Sequence, residues 1–217
     1  MKQLFLLLFF FLISLFSFSQ KEKKIFFEIN YGVNGNFFVR NYDETGGPVP
    51  KTYFYNKHFI GSIAGIEIKY KLNQRSSLGI AYSRSINSRR ISYNGPFNSI
   101  YLSIRDFRIT HTDIFDQLYY EMNLFQKMPG LKCQLGLFYL RMNQQEVELS
   151  NFSNSISFEE RNYKNSKLEE GGAFFGVHFS KKIDTNFELG IKSRVYYLIS
   201  TNEFEAITLT PSLSYNF

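Results

Sequence analysis

Ala64-Gly65-Ile66-Glu67-Ile68-Lys69-Tyr70-Lys71-Leu72 is the stretch on which the reading of this chain turns. Ala64, Ile66, Ile68, Tyr70 and Leu72 fall on one parity, and Gly65, Glu67, Lys69 and Lys71 on the other. In an extended chain successive side chains point to opposite faces, so the stretch reads as a β-strand with one apolar and one polar face. A short turn at Asn73 to Ser76 follows, and then Leu78, Ile80 and Tyr82 oppose Gly79, Ala81 and Ser83. Working outward, the same period recurs. It places Phe27, Ile29, Tyr31 and Val33 on one face, then Leu118, Tyr120, Met122 and Leu124, then Leu131, Cys133, Leu135, Leu137 and Tyr139. Phe175, Val177 and Phe179 repeat it, as do Phe187, Leu189, Ile191, Val195, Tyr197 and Ile199, and finally Ile207, Leu209, Leu213, Tyr215 and Phe217. Eight such segments imply an all-β protein.

Alternation alone does not say which face is inside, because a soluble barrel with an apolar interior gives the same pattern. Three features favour apolar residues outside. The connections at Asn73 to Ser76, Gln126 to Gly130 and Lys182 to Asn186 are short, whereas Arg40 to Lys57, Ser88 to about Ile109 and Met142 to about Glu170 are long and polar. Transmembrane barrels show this asymmetry, with short periplasmic turns and longer external loops. The minority face mixes Gly and Ala with Lys, Glu and Asn, as a narrow lumen requires. The last strand ends on an aromatic, Phe217. Bilayer hydrocarbon supplies no hydrogen bonds, so strands of ~9–11 residues cross it only as a closed barrel. The fold expected is an all-β, eight-stranded antiparallel transmembrane up-and-down β-barrel with both termini periplasmic. Tyr70, Phe179, Phe187, Tyr215 and Phe217 would form the periplasmic aromatic belt, and Tyr82, Tyr139 and Tyr197 the outer one.

Two resemblances add to this. Leu209-Thr210-Pro211-Ser212-Leu213-Ser214-Tyr215-Asn216-Phe217 is similar to the C-terminal β-signal of outer-membrane proteins. That similarity implies that Tyr215 and Phe217 are read by the barrel-assembly machinery. Tyr119-Tyr120-Glu121-Met122-Asn123-Leu124 resembles the Tyr-Leu-Glu-Ile-Pro-Leu strand of PorT-like outer-membrane barrels of Bacteroidota, with Tyr120 at the Leu position and Asn123 at the Pro position. The resemblance continues through the next Gly-containing strand and the Gly171-Gly172-Ala173 strand start. It implies a Gram-negative outer membrane and a non-enzymatic, structural or accessory role, in the namesake's case in secretion.

The N-terminus agrees on compartment. Lys2 precedes an almost unbroken Leu, Phe and Ile run from Leu4 to Phe18, and Ser17-Phe18-Ser19 offers small residues before Gln20. This is the layout of a secretory signal peptide, and the run falls short of the ~20 apolar residues of a spanning helix. Residues 1–19 are therefore expected to be the signal and residues 20–217 one barrel domain. Without Lys2 the chain keeps 24 basic residues against 19 acidic ones, a formal +5. The charges alternate in sign along most segments, so no nucleic-acid footprint is read from them. The single cysteine, Cys133, forms no internal disulfide.

An eight-stranded barrel is just wide enough to be filled by side chains. The polar parity supplies Glu28, Glu67, Glu121 and Glu188 against Lys69, Lys71, Lys132, Lys192 and Arg194. These are expected to form a charge-balanced plug, since buried charges are tolerable only when paired. A selectivity filter or proton path is the other use of such a set. His178-Phe179-Ser180 with Glu188 resembles the His-x-Ser and Glu set of lipid A deacylases, types suited to acyl transfer. Their phase points them into the lumen beside the Lys182 to Asn186 turn, far from the outer leaflet. His58 and His111 read as rim residues, and Glu159-Glu160 and Glu169-Glu170 as solvated charge. No cofactor or metal set is read, and Gly46-Gly47-Pro48 is turn chemistry. The candidate partner-binding surface is the second long loop, through Arg89, Arg90, Tyr93, Phe97, Tyr101 and Arg105. Guanidinium and aromatic groups there suit lipopolysaccharide phosphates or an envelope protein partner, and a cluster that only stabilises the loop is the other use of the same residues. A small channel or transporter remains the alternative function, and a lipid A acyl hydrolase a further one.

Overall fold

Each alternating segment forms a strand in the computed structural model, which describes residues 24–37, 60–97, 100–125, 128–150, 155–162 and 169–217. The strands are β1 (Ile25–Asn36), β2 (Ile60–Lys71), β3 (Ser76–Phe97), β4 (Ile100–Phe125), β5 (Met128–Ser150), β6 (Ser155–Asn162), β7 (Glu169–Lys182), β8 (Phe187–Leu198) and β9 (Glu203–Asn216). All pairings are antiparallel, and β1 pairs with β9 as well as with β2, which closes the sheet. Closure runs through β1, β2, β3, β4, β5, β7, β8 and β9, giving an eight-stranded barrel without a free edge. Residues 1–19, expected to be a signal peptide, and the first long connection lie outside the described residues.

The seam carries two local devices. Pro211 has no N–H to donate, and the β1–β9 ladder omits Tyr31 and Gly32 opposite it. A Cβ on Gly32 would come within 2.2 Å of the Leu209 carbonyl oxygen, so only glycine fits where the two strands are pressed together. At the end of the seam the Phe217 N–H donates to the Ile25 carbonyl at 3.1 Å. The barrel ends of the chain therefore sit beside the turns at 72–75 and 183–186 (the turn end).

The opposite end departs from expectation. The span from Ser88 to Ile109 is not an open loop: β3 and β4 continue their ladder through it to the pair Phe97–Ile100, with a bulge between Ile91 and Tyr93. Within the third long connection β5 runs on to Ser150 and pairs with β6, a ninth strand that stands outside the closed ring. Backbone amides projecting beyond the barrel pair with each other rather than remain unpaired, a choice that polar side-chain composition does not reveal. The fourth connection at this end, between β8 and β9, is a tight turn with Asn202 at φ 60°, a conformation that Asn tolerates.

The two faces are the reverse of a soluble barrel. Ile66, Ile68, Leu118, Leu135, Leu137, Phe175, Leu189, Ile191 and Leu209 project outward and are exposed, Leu135 to 65%. Glu28, Glu67, Glu121, Lys69, Lys192 and Arg194 point inward and are buried. Removing a continuous apolar band from water is favourable by roughly 25 cal/mol per Å², which here requires lipid around the barrel. The expected belt residues all lie on the outward parity, and at the turn end Phe187, Tyr215 and Phe217 stack edge to face with centroids 5.1 and 4.8 Å apart.

Candidate functional site

The lumen is filled in three zones. Nearest the turn end is the charge network. Lys69 Nζ lies 2.7 Å from Glu28 Oε2 and 3.6 Å from Glu121 Oε2, and Lys132 reaches Glu121 Oε1 at 3.5 Å. Lys192 joins Glu28 and Glu67, the latter at 2.7 Å, and Arg194 meets Glu67 at 3.0 Å. Strands β1, β2, β4, β5 and β8 each contribute, so the pairs tie opposite walls together. Neutral groups complete the coordination of these charges. Arg194 donates to Gln134 and Gln117, Gln134 donates to Glu121 at 2.6 Å, and Asn30 and Tyr119 donate to Glu67. Seven of the nine residues expected in the plug form it. Glu188 and Lys71 instead line a cavity of about 250 Å³ at the turn end, with Arg75 and Lys182. Glu188 there accepts a 3.4 Å hydrogen bond from Ser180.

The middle zone adds an apolar layer to the charge-balanced plug expected from the polar parity. Phe115, Phe138, Phe174, Tyr196, Leu140, Met142 and Leu198 point inward and are buried with Tyr119 in one cluster. The rings of Phe115 and Phe174 lie 4.7 and 5.4 Å from that of Tyr196, and Arg194 caps Tyr119 and Phe174 at 4.9 and 5.1 Å. These rings are accommodated by the lumen glycines. A Cβ on Gly79 would fall 2.3 Å from Tyr119 Cζ, and one on Gly172 2.4 Å from Phe138 Cζ. That is the packing reason for glycine on the inward parity.

The third zone lies at the extended end. Asn34 of β1 donates to Ser85 and Asn87 of β3. Asn36 of β1 donates to Asp113 of β4 at 2.6 Å and to Glu205 of β9 at 3.2 Å, and His111 Nε2 lies 2.7 Å from Asp113 Oδ1. His111 is therefore no rim residue: it is 3% exposed, on the lumen face with Asp113. The spacing of His111 and Asp113, two apart on the inward parity of a strand, was the available sequence signal. Glu205 was not available in that way. It shares parity with the outward Ile207 and Leu209, but the β8–β9 ladder passes from Tyr196–Ala206 to Tyr197–Phe204 and leaves Glu205 as the extra residue of a bulge. The bulge turns Glu205 inward beside Ala206, and both are buried.

The remaining sequence candidates are placed as follows. His178 bonds through Nδ1 to Glu121 at 3.1 Å, while Ser180 bonds to Glu188, so these groups belong to two separate pairs in the lumen. On the β3–β4 extension Arg90 stands in register opposite Arg108, both exposed, and Tyr101 is 70% exposed. Arg105 falls in the bulge of β4, and the side chains of Arg89, Tyr93, Phe97 and Arg105 lie outside the described residues. Glu169 and Glu170 accept hydrogen bonds from Tyr139 and Ser200. The side chains of Glu159 and Glu160 and all of His58 lie outside the described residues.

No protein-family model matches the sequence, and neither does any curated protein. Among solved structures the chain is similar to Ail, the attachment invasion locus protein of Yersinia pestis, in complex with the heparin analogue sucrose octasulfate. That match has 11% identity over 90% of this chain and 99% of that one, with a TM-score of 0.50. Neisserial surface protein A matches over 89% of this chain and 97% of that one, at 12% identity and a TM-score of 0.49. At such identity the likeness to Ail is one of fold: a closed, eight-stranded antiparallel β-barrel.

Proposed function

We infer that the chain is an integral outer-membrane barrel, non-enzymatic, with a structural lumen and a working surface on its extended end. One observation carries this reading: an apolar outer band surrounds a lumen in which three carboxylates are matched by lysine and arginine and the remaining width is filled by aromatic rings. A wall of this kind suits lipid, and a filled interior suits a scaffold better than a conduit. The termini and short turns are assigned to the periplasm and the β3–β4 and β5–β6 extensions to the exterior, following the turn asymmetry. Tyr215 and Phe217 serve as the signal for the barrel-assembly machinery.

The extensions are the binding surface, because loops on a rigid barrel are where recognition is carried. The Arg90–Arg108 register pair and exposed Tyr101 support an anionic or aromatic-tolerant partner, lipopolysaccharide phosphate or an envelope protein. The strand around Glu121 supports placement near the PorT-like barrels and hence an accessory role in an envelope machine. The test is affinity purification from native outer membrane, with Arg90→Ala/Arg108→Ala as the comparison. A stoichiometric envelope partner, lost in the double variant, is expected. Steady conductance of the purified barrel in planar bilayers would replace this reading with a channel, and altered lipid A acylation in a deletion strain would replace it with an enzyme.

A further inference from the structure

The third lumen zone differs from the first in its charge balance. Each carboxylate in the turn-end network faces a lysine or arginine, whereas among the described residues neither Asp113 nor Glu205 has one within ion-pair distance. Both carboxylates are almost fully buried, and so is the His111 ring beside them. Two buried acids that share one imidazole and no lysine or arginine are costly, and proteins leave charge in such places when it is paired or coordinates a metal. One ligand atom from each of His111, Asp113 and Glu205 lies within 4.8 Å of the other two. His111 Nε2 lies 2.7 Å from Asp113 Oδ1, so the imidazole and this carboxylate already stand side by side.

We propose that His111, Asp113 and Glu205 form a binding site for a divalent transition-metal ion, of which zinc is the probe of choice. Zinc–nitrogen and zinc–oxygen bonds of ~2.0–2.2 Å put tetrahedral ligand atoms roughly 3.4 Å apart. The pair at 2.7 Å needs to open slightly and the third ligand to close from within 4.8 Å, which are side-chain adjustments. An imidazole with two carboxylates is a donor set for zinc or a neighbouring first-row ion. The charges of the two carboxylates and the ion cancel. Asn36 is the outer partner: its amide donates to both carboxylates and holds them toward a common point. The bulge at Glu205 then has a purpose, because without it that carboxylate faces the outside of the barrel. The ligands come from β4 and β9, which are not neighbours in the sheet, and Asn36 from β1. An ion there pins opposite walls of the barrel at its extended end.

The test uses the barrel folded in detergent, without a polyhistidine tag, stripped by chelator and then equilibrated with zinc. One tightly held equivalent per chain is expected, with a raised thermal midpoint for the folded band on unheated gels. His111→Gln and Glu205→Gln should each weaken binding at least tenfold, and Asn36→Ala about tenfold to a hundredfold. His178→Gln, elsewhere in the lumen, should leave binding unchanged. Cobalt substitution gives a readout on the parent protein alone, independent of whether the variants fold: intense visible bands of a four-coordinate site are expected. A cobalt spectrum like that of the free aqueous ion, absence of a bound equivalent, or undiminished zinc binding in folded Glu205→Gln would each overturn the proposal.

Discussion

Replacing Arg194 by methionine tests whether the lumen is held by charge pairing. Arg194 is 4% exposed, donates to Gln134 at 2.8 Å, to Gln117 at 3.0 Å and to Glu67 at 3.0 Å, and lies over two aromatic rings. Removing one member of a buried pair costs about 3–5 kcal/mol, because the charge left behind is desolvated and uncompensated. Here Glu67 keeps Lys192 at 2.7 Å and Tyr119, so the loss belongs at the lower end, about 3 kcal/mol. Methionine retains most of the contact with Tyr119 and Phe174, which leaves the electrostatic part dominant. A loss of about 3 kcal/mol is roughly a hundredfold in the folding equilibrium. It is read by urea titration in lipid vesicles, with the folded and unfolded bands on unheated gels as the signal. The companion is Glu67→Gln, alone and combined with Arg194→Met. If the two groups are partners, the double variant should be more stable than the summed single losses imply, by about 1–3 kcal/mol. A single variant within about 1 kcal/mol of the parent, or strict additivity, would refute the charge-paired lumen.

Leu135 projects into the apolar band, so Leu135→Arg should cost about 2–4 kcal/mol in vesicles while Leu135→Met costs little; equal tolerance would contradict the assignment of faces. Gly79→Val places side-chain atoms where Tyr119 lies; the displaced ring should lose its bond to Glu67 and the barrel about 1–3 kcal/mol, measured by the same titration. Deleting Phe217 should abolish accumulation of folded barrel in cells while the truncated chain still refolds in detergent. Normal cellular levels would make Phe217 an ordinary belt residue rather than part of an assembly signal.

By itself the sequence determined the eight strands of the ring and which of their faces is apolar and outward. Parity is a local property of extended backbone: once Ile66, Ile68 and Tyr70 face one way, Glu67 and Lys69 must face the other. For the same reason seven of the nine plug charges could be named before any pairing was known. Tertiary structure decided what parity cannot express. Phe115, Phe138, Phe174 and Tyr196 lie on the inward parity, but only closure shows that they meet as one cluster over Gly79 and Gly172. The polar composition of 88–109 and 142–170 concealed continuing ladders, because the pairing of β3 with β4 and of β5 with β6 lies in the backbone rather than the side chains. The group at His111, Asp113, Glu205 and Asn36 needed both closure and a bulge. Closure sets β1 and β9 against β4 across the lumen, 77 residues separating Asn36 from Asp113 and 169 separating it from Glu205. One extra residue in β9 reverses the parity of Glu205, and that reversal is invisible until the ladder between β8 and β9 has formed.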